Sequence, residues 1–308
     1  MTAAVALCTY NGAAHLPALL DSLKRQTRLP DELVVCDDRS TDTTLSVIEA
    51  FARSAPFPVR VHVNPTNLGC TANFDRCLGL CTADILFPCD QDDVWHPDKI
   101  ERMAAAFAPG VGLVAADCEL VDANGVRLGG RQWANLSFVP PADGRLRVED
   151  LLRFNVVTGA AAAVRADLLP LIRPIPAVWV HDGWMGLLAA AVSEVRLLPD
   201  PVIDYRQHAG QQIGSVRLTI GEQIRRARRM DAAYFARTAA CFEAAAARLE
   251  TKADVTAIRR KAAFTRAQQR MREGWRIARL MPAVGRLVVG DYGRFGRGWK
   301  GFAADLVL

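Results

Sequence analysis

Short apolar runs alternate with amphipathic segments through the first 120 residues, and this alternation limits what the chain can fold into more than any other feature. Val5-Ala6-Leu7-Cys8, Leu33-Val34-Val35-Cys36, Val59 to Val63 and Ile85-Leu86-Phe87 read as four strands. Leu16, Leu19, Leu20 and Leu23 share one helical face; Leu45, Ile48 and Phe51 share a second, and Phe74, Cys77 and Leu78 a third. Strands alternating with helices predict an α/β fold whose mostly parallel sheet is covered on both faces. Such sheets bind ligands beyond the carboxyl ends of their strands. Thr9-Tyr10-Asn11, Asp37-Asp38 and Asp90-Gln91-Asp92-Asp93 all fall there. Ser40 or Thr41 is placed to N-cap the second helix, and Pro97 suits the first turn of the fourth.

Past Leu113-Val114-Ala115-Ala116 the pattern changes. Asn124-Gly125 between Leu120-Val121 and Val126-Arg127-Leu128 is a hairpin signal. Val156 to Val164 reads as a buried strand broken by Gly159, and His181-Asp182 precedes an apolar helix from Trp184 to Val192. Val195 to Leu198 and Val202 to Tyr205 are the last strands, and from Ile220 onward the composition predicts helix. The net charge of +5 conceals an asymmetry: 20 Lys and Arg stand against 8 Asp and Glu from Ser215 onward, and 18 against 25 before it. The expected organisation is therefore a catalytic domain over 1–214, with a nucleotide-binding half (1–120) and an acceptor half (121–214), followed by a basic helical region over 215–308.

Half of the residues are hydrophobic, which excludes a disordered chain, and no apolar run approaches the length of a membrane span. Met1-Thr2-Ala3-Ala4-Val5 lacks a basic stretch, so no secretory signal is expected. The eight cysteines form no CxxC pair, which argues against zinc and for reduced, buried thiols in a cytoplasmic protein. No G-x-G-x-x-G follows the first strand, and neither a Walker lysine motif nor a G-x-S-x-G elbow is present. The chain offers carboxylates instead. Three within the four residues Asp90 to Asp93 repel one another and resist desolvation unless a cation sits among them. Hard oxygen donors at this density suit Mg²⁺ or Mn²⁺ bridged to phosphates; a solvated acidic turn that caps the next helix is the alternative. Asp37-Asp38 is placed to accept hydrogen bonds from a ribose or a base, or simply to hold the turn into Ser40.

These segments carry a family resemblance. Leu7-Cys8-Thr9-Tyr10-Asn11-Gly12, Val35 to Asp42, Asn67-Leu68-Gly69 with Asn73-Phe74, and Cys89-Asp90-Gln91-Asp92-Asp93-Val94-Trp95-His96-Pro97-Asp98-Lys99 resemble family 2 glycosyltransferases over roughly residues 3 to 215. The Asp-Gln-Asp-Asp-x-Trp segment and the late Tyr205-Arg206-Gln207-His208 are similar to those of bacterial rhamnosyltransferases. The resemblance implies a GT-A fold, a Rossmann-like mixed sheet flanked by helices, here with a C-terminal helical extension, and an inverting sugar transfer. It implies that Thr9, Tyr10 and Asn11 line the nucleotide pocket, that Asp38 with Asp37 beside it contacts the pyrimidine, and that Asn67 and Asn73 close the nucleoside side. Asp90, with Gln91, would face the donor ribose or sugar; Asp92 would bind the divalent cation, Mg²⁺ or Mn²⁺, and His208 would be a late ligand to that metal or to the diphosphate. Asp93 would do no more than hold the turn before Trp95.

Asp182 of the His181-Asp182 pair would be the general base that takes the acceptor's proton; a helix N-cap is the bland and compatible reading. Gly159 would lie under the acceptor and diphosphate, with His181 and Trp184 on the acceptor side and Trp184 able to stack on a sugar face. One departure is Arg39, where the family commonly has a small residue; its side chain could reach a phosphate or point to solvent, and the latter is expected.

The expected activity is metal-dependent transfer of L-rhamnose from dTDP-rhamnose to a glycan or lipid-linked glycan in cell-surface polysaccharide synthesis, with a UDP-sugar as the alternative donor. A sugar-1-phosphate nucleotidyltransferase would need a Gly-rich basic loop where Thr9-Tyr10-Asn11-Gly12 stands. A non-catalytic basic binding protein is disfavoured by the acidic front of the chain, and no nucleic-acid partner is expected. The cationic faces around Arg225 to Arg229, Arg259 to Lys261 and Arg266 to Arg272 suit an anionic membrane surface on the inner face of the plasma membrane, or a helical hairpin packed within the protein or in a homodimer.

Overall fold

Every residue of β1 (Ala3–Thr9), β2 (Glu32–Asp37) and β4 (Ile85–Cys89) is buried, as strands covered on both faces must be. β3 (Val59–Val63) is half exposed and forms one edge. Helices α1 (Leu16–Lys24), α2 (Thr44–Ala52) and α3 (Cys70–Leu80) connect these strands, and the leucine face predicted for α1 is buried in full. The computed structural model describes residues 1–207, 230–274, 279–296 and 298–307. They divide into two compact units, one of Met1–Leu146 with Val156–Ser215 and one of Arg147–Asn155 with Val216–Leu308.

In the first unit the chain continues through β5 (Val94–Trp95), α4 (Lys99–Ala105), β6 (Val111–Ala116), β7 (Glu119–Val121), β8 (Arg127–Arg131), α5 (Gln132–Asn135) and β9 (Arg145–Leu146). After α6 (Val148–Leu151) of the second unit come β10 (Ala162–Arg165), α7 (Leu169–Ile172), α8 (His181–Val192), β11 (Glu194–Leu198) and β12 (Ile203–Arg206). Eight strands form one mixed sheet in the order β3-β2-β1-β4-β10-β6-β11-β9. β1 pairs in parallel with both β2 and β4, so the chain builds outward to β3 and then returns to the other side of β1. A crevice opens at such a switch in strand order, beyond the carboxyl ends, and here Thr9, Asp37 and Cys89 end the three strands that surround it. A second sheet, β5-β12-β7-β8, joins the turn after β4 to the end of the first unit: Trp95 pairs with Ile203 and Val94 with Asp204.

Several local expectations shift. The hairpin holds, with Gly125 at φ +83° and Val121 opposite Arg127. The strand expected from Val156 begins only at Ala162, because Gly159–Ala161 turn as a 3₁₀ segment. α2 starts at Thr44 rather than after Ser40 or Thr41, whose side chains bind Asp37 and Asn11 instead. α8 starts at His181, so Asp182 lies inside the first turn, with Val180 at the N-cap.

In the second unit, helices Ala232–Leu249 and Thr256–Glu273 pack as a hairpin through Phe235, Ala239, Phe242, Ile258 and Phe264. Many of the basic residues are engaged within the unit. Arg266 makes two hydrogen bonds to Glu243 (2.7 and 2.6 Å), Arg260 and Arg286 flank the fully buried Asp291, and Lys261 Nζ donates to the Phe295 carbonyl. Arg225, Arg226, Arg228 and Arg229 lie outside the described residues. Met281 and Val288 on helix Leu280–Val288 are both 80% exposed, and Trp299 is 71% exposed. No helix among the described residues is long and apolar enough to cross a membrane.

Candidate active site

The strand ends are stitched together by Asp37 and Asp38. Asp37 Oδ2 accepts from the Thr9 hydroxyl (2.8 Å) and the Ser40 hydroxyl (2.6 Å), and Oδ1 accepts from Ser40 N–H. Thr9 and Asp37 are both buried, so they form a strut between β1 and β2 rather than a pocket lining. Asp38 Oδ1 accepts from Asn64 Nδ2 and Leu68 N–H, each at 2.7 Å, and Oδ2 from Gly69 N–H at 2.8 Å. Its carboxylate thus anchors the loop that carries Asn67, whose own amide reaches the Asp38 carbonyl at 3.2 Å. Asn73 is 2% exposed and shares Asn64 Nδ2, while its amide donates to the Cys36 carbonyl. Asn64 escaped sequence reasoning; its signal was an asparagine directly after an apolar strand. Asn11 (φ +49°) and Arg39 (φ +67°) are left-handed, which explains why a small residue suits position 39. Arg39 is exposed, as expected, and donates to the Pro65 carbonyl.

Gln91 spans from the acidic turn to β1. It accepts from Tyr10 N–H (2.8 Å) and donates to the Tyr10 carbonyl (3.0 Å), leaving the Tyr10 ring 48% exposed at the crevice. A Cβ on Gly12 would stand 2.1 Å from Gln91 Oε1, so this clamp needs glycine there.

The three carboxylates of the acidic turn differ in kind. Asp93 is fully buried: Oδ1 accepts from Arg206 N–H (3.1 Å), and Oδ2 has no partner among the described residues. Burial, then the charges of Asp92 and Asp90, hold its carboxyl well above the usual range. Asp90 and Asp92 are only half buried. Burial, then the charges of Asp92 and Asp182, push Asp90 up to about 7. Arg206 braces the turn by donating from Nε to the Asp92 carbonyl (2.8 Å) and from Nη1 to the Ala123 carbonyl. His208, two residues on, lies outside the described residues. Among the described residues no three His, Cys, Asp or Glu side chains gather as a closed metal cage. Asp90 and Asp92 nevertheless fit a Mg²⁺ or Mn²⁺ ion, which takes one or two carboxylates and completes its shell with water and phosphate oxygens.

Across the crevice, Asp182 Oδ2 accepts from Gly159 N–H at 3.2 Å and Oδ1 from Gly183 N–H at 2.5 Å. A Cβ on Gly159 would lie 2.3 Å from His181 Nε2. His181 is buried, stacks on Phe74 at 3.8 Å and has no hydrogen-bond partner for either ring nitrogen among the described residues; burial lowers its pKa. It supports the turn from beneath and presents no surface to an acceptor. Trp184 requires the same correction. It is fully buried, and its indole N–H donates to the Ile172 carbonyl at 2.7 Å, so no ring face is open to a sugar. α8 packs apolar side chains all round, which hid this from a one-dimensional reading. Trp179, half buried and 5.6 Å from Trp184, is the indole nearer the surface.

One side chain senses the whole cluster. Cys70, at the start of α3, has its thiol pushed up to about 12 by burial and then by the charges of Asp90, Asp182, Asp38 and Asp92. Four carboxylates from three parts of the chain, Asp38, the Asp90–Asp92 turn and Asp182, therefore lie within electrostatic reach of one thiol.

Residues 4–169 match Glycosyl transferase family 2. The chain belongs to that family. This family 2 member is 30% identical over 206 residues to an uncharacterized protein of Mycobacterium tuberculosis, covering 65% of this chain and 57% of that protein, and so spans little more than half of that relative. It is 27% identical over 237 residues to an uncharacterized glycosyltransferase of Nostoc sp., covering 72% of this chain and 70% of the relative. It is 32% identical over 100 residues to the dTDP-rhamnosyl transferase RfbG of Shigella flexneri, covering 31% of this chain and 35% of that one. Among solved structures, S. aureus TarS 1-349 in complex with UDP-GlcNAc superposes with TM-score 0.58 at 17% identity, covering 99% of this chain and 90% of that one. The Pyrobaculum calidifontis mannosyltransferase PcManGT in complex with GDP-Man and Mn²⁺ superposes with TM-score 0.55 at 20% identity, covering 99% and 86%. The mixed sheet of this family 2 member is that of the GT-A fold.

Two measurements test this electrostatic and steric account. An unfolded aspartate titrates near 3.9, and Asp90 titrates up to about 7 in the fold. Asp90 therefore lowers the stability of the metal-free protein as pH rises from about 4 through about 7. Asp90→Asn should raise the melting temperature most above pH 7 and not at pH 4; an equal shift at both values would contradict the account. Gly159→Ala should cost roughly 1–3 kcal/mol in urea unfolding, because the buried His181 ring cannot give way; unchanged stability would mean that the ring moves freely.

Proposed function

We propose that this protein is a metal-dependent inverting glycosyltransferase that takes a sugar from a nucleotide diphosphate, most specifically L-rhamnose from dTDP-rhamnose. The convergence of Asp38, Asp90, Asp92 and Asp182 on the surroundings of Cys70 carries this reading. It supports a donor site over the β1–β4 switch in which the loop held by Asp38 covers the nucleoside and the exposed Tyr10 ring lies beside it. Asp92 and Asp90 would hold a divalent cation, with His208 as a further ligand. When bound, that ion would neutralise charge on the departing nucleotide diphosphate.

Asp182 is the proposed base. Its carboxylate is oriented by Gly159 N–H and Gly183 N–H, and it would accept the proton of the acceptor hydroxyl as that oxygen attacks the anomeric carbon opposite the diphosphate. The partial similarity to RfbG and the Asp-Gln-Asp-Asp-x-Trp and Tyr-Arg-Gln-His segments support rhamnose; the UDP-GlcNAc bound to TarS makes a UDP-sugar the second reading.

The acceptor is proposed to be a glycan or lipid-linked glycan met at a membrane surface, with residues 1–214 catalytic and 215–308 a basic extension. Met281, Val288 and Trp299 support surface attachment, since apolar side chains this exposed gain when they enter a lipid interface.

Asp182→Asn should reduce transfer by about 10²- to 10⁴-fold while nucleotide affinity is kept. Equal loss of both in a panel of dTDP- and UDP-sugars, scored by nucleotide release, would refute the base assignment. Met281→Glu with Val288→Glu should lower sedimentation with anionic vesicles and spare transfer to a soluble acceptor; unchanged sedimentation would reject the attachment surface.

A further inference from the structure

A buried lysine joins the two halves of this site. Lys99 is the first residue of α4 and is fully buried. A helix N-terminus is an unfavourable place for a cation, and an ammonium withdrawn from water costs several kcal/mol unless its partners are well placed. Two contacts hold it. Nζ donates to the Ala160 carbonyl at 2.5 Å and lies 3.2 Å from the centroid of the Trp95 ring. Trp95 closes the acidic turn and is fixed by its pairing with Ile203 and by its N–H to the Ser22 hydroxyl. Ala160 belongs to the Gly159–Ala161 turn, which Ala161 N–H closes on the Thr158 carbonyl and whose Gly159 N–H donates to Asp182.

We propose that Lys99 is a positioning residue that ties the Asp90–Trp95 turn to the turn holding Asp182, and so sets the distance between the diphosphate end of the site and the base. The proposal rests on the reading of Asp182 as the base. The path is short and continuous: Trp95 ring, Lys99 Nζ, Ala160 carbonyl, Gly159 N–H, Asp182 carboxylate. A core residue whose only task was filling space would be better served by an apolar side chain. Removing one partner of a buried polar contact leaves the other unsatisfied and costs stability whatever the lysine does. Turnover and local exchange at the Gly159–Ala161 turn therefore separate positioning from packing.

The test uses the full-length protein and Lys99→Met, which keeps most of the side-chain volume. The melting temperature should fall, with the protein still folded at the assay temperature. Hydrogen exchange at the Gly159 and Ala161 amides should quicken, because the turn loses its tie. With the best donor, kcat should drop on the order of 10- to 100-fold, the penalty for misplacing a base by about an ångström, while the donor KM stays within about threefold of wild type. A folded Lys99→Met with wild-type kcat would overturn the proposal, as would unchanged exchange at both amides. Should Lys99→Met fail to fold, Lys99→Leu, which also lacks a donor, is held to the same exchange and kcat criteria. A wild-type protein that turns over no sugar nucleotide would defeat the functional reading alone, since the exchange arm measures the tie without activity.

Discussion

The upper edge of the sheet depends on two adjacent carboxylates that are spent on the protein itself. A strand end leaves backbone N–H groups without ladder partners, and a crevice there has walls only if those groups are satisfied. Asp37 does this between β1 and β2 through Thr9 and Ser40, and Asp38 does it for the loop at Leu68 and Gly69. Asn64 and Asn73 complete the lattice beneath them. The proposed nucleotide side of the site is therefore preorganised by the fold itself, which is what positioning by binding energy requires.

On that rigid edge the acidic turn separates charge by depth. Asp93 is an interior group, kept far from its usual titration range and bound to Arg206 N–H. Asp90 and Asp92 remain half exposed, and burial followed by the charge of Asp92 raises the Asp90 carboxyl. A fold that holds like charges together loses stability in doing so, and function is the usual reason. Arg206 and Gln91 hold the turn by its backbone and by Tyr10, leaving the Asp90 carboxylate in the mutual field of Asp92 and Asp182.

The first four strands, the three helices between them and the leucine face of α1 were legible because each is strongly periodic over its own residues. β5 was not: two residues cannot signal a strand, and Val94-Trp95 is one only because β12 pairs with it from far along the chain. The candidate site was legible as a set of strand-end carboxylates, but not in how burial divides them. Thr9, Asn73 and His181 have side chains fit for ligand contact, and their burial is a property of packing alone. Trp184 was misread for the same reason, and Lys99 was overlooked because a lysine ordinarily signals surface.

The central claim is that Asp90 and Asp92 form the cation end of a nucleotide-diphosphate site. Mn²⁺ binding followed by electron paramagnetic resonance, with and without dTDP or UDP, tests it most directly. The account predicts one tightly bound Mn²⁺ per chain that appears with the nucleotide and is lost in Asp92→Ala. Nucleotide binding that is equally tight in EDTA, or Mn²⁺ binding indifferent to Asp92→Ala, would contradict it.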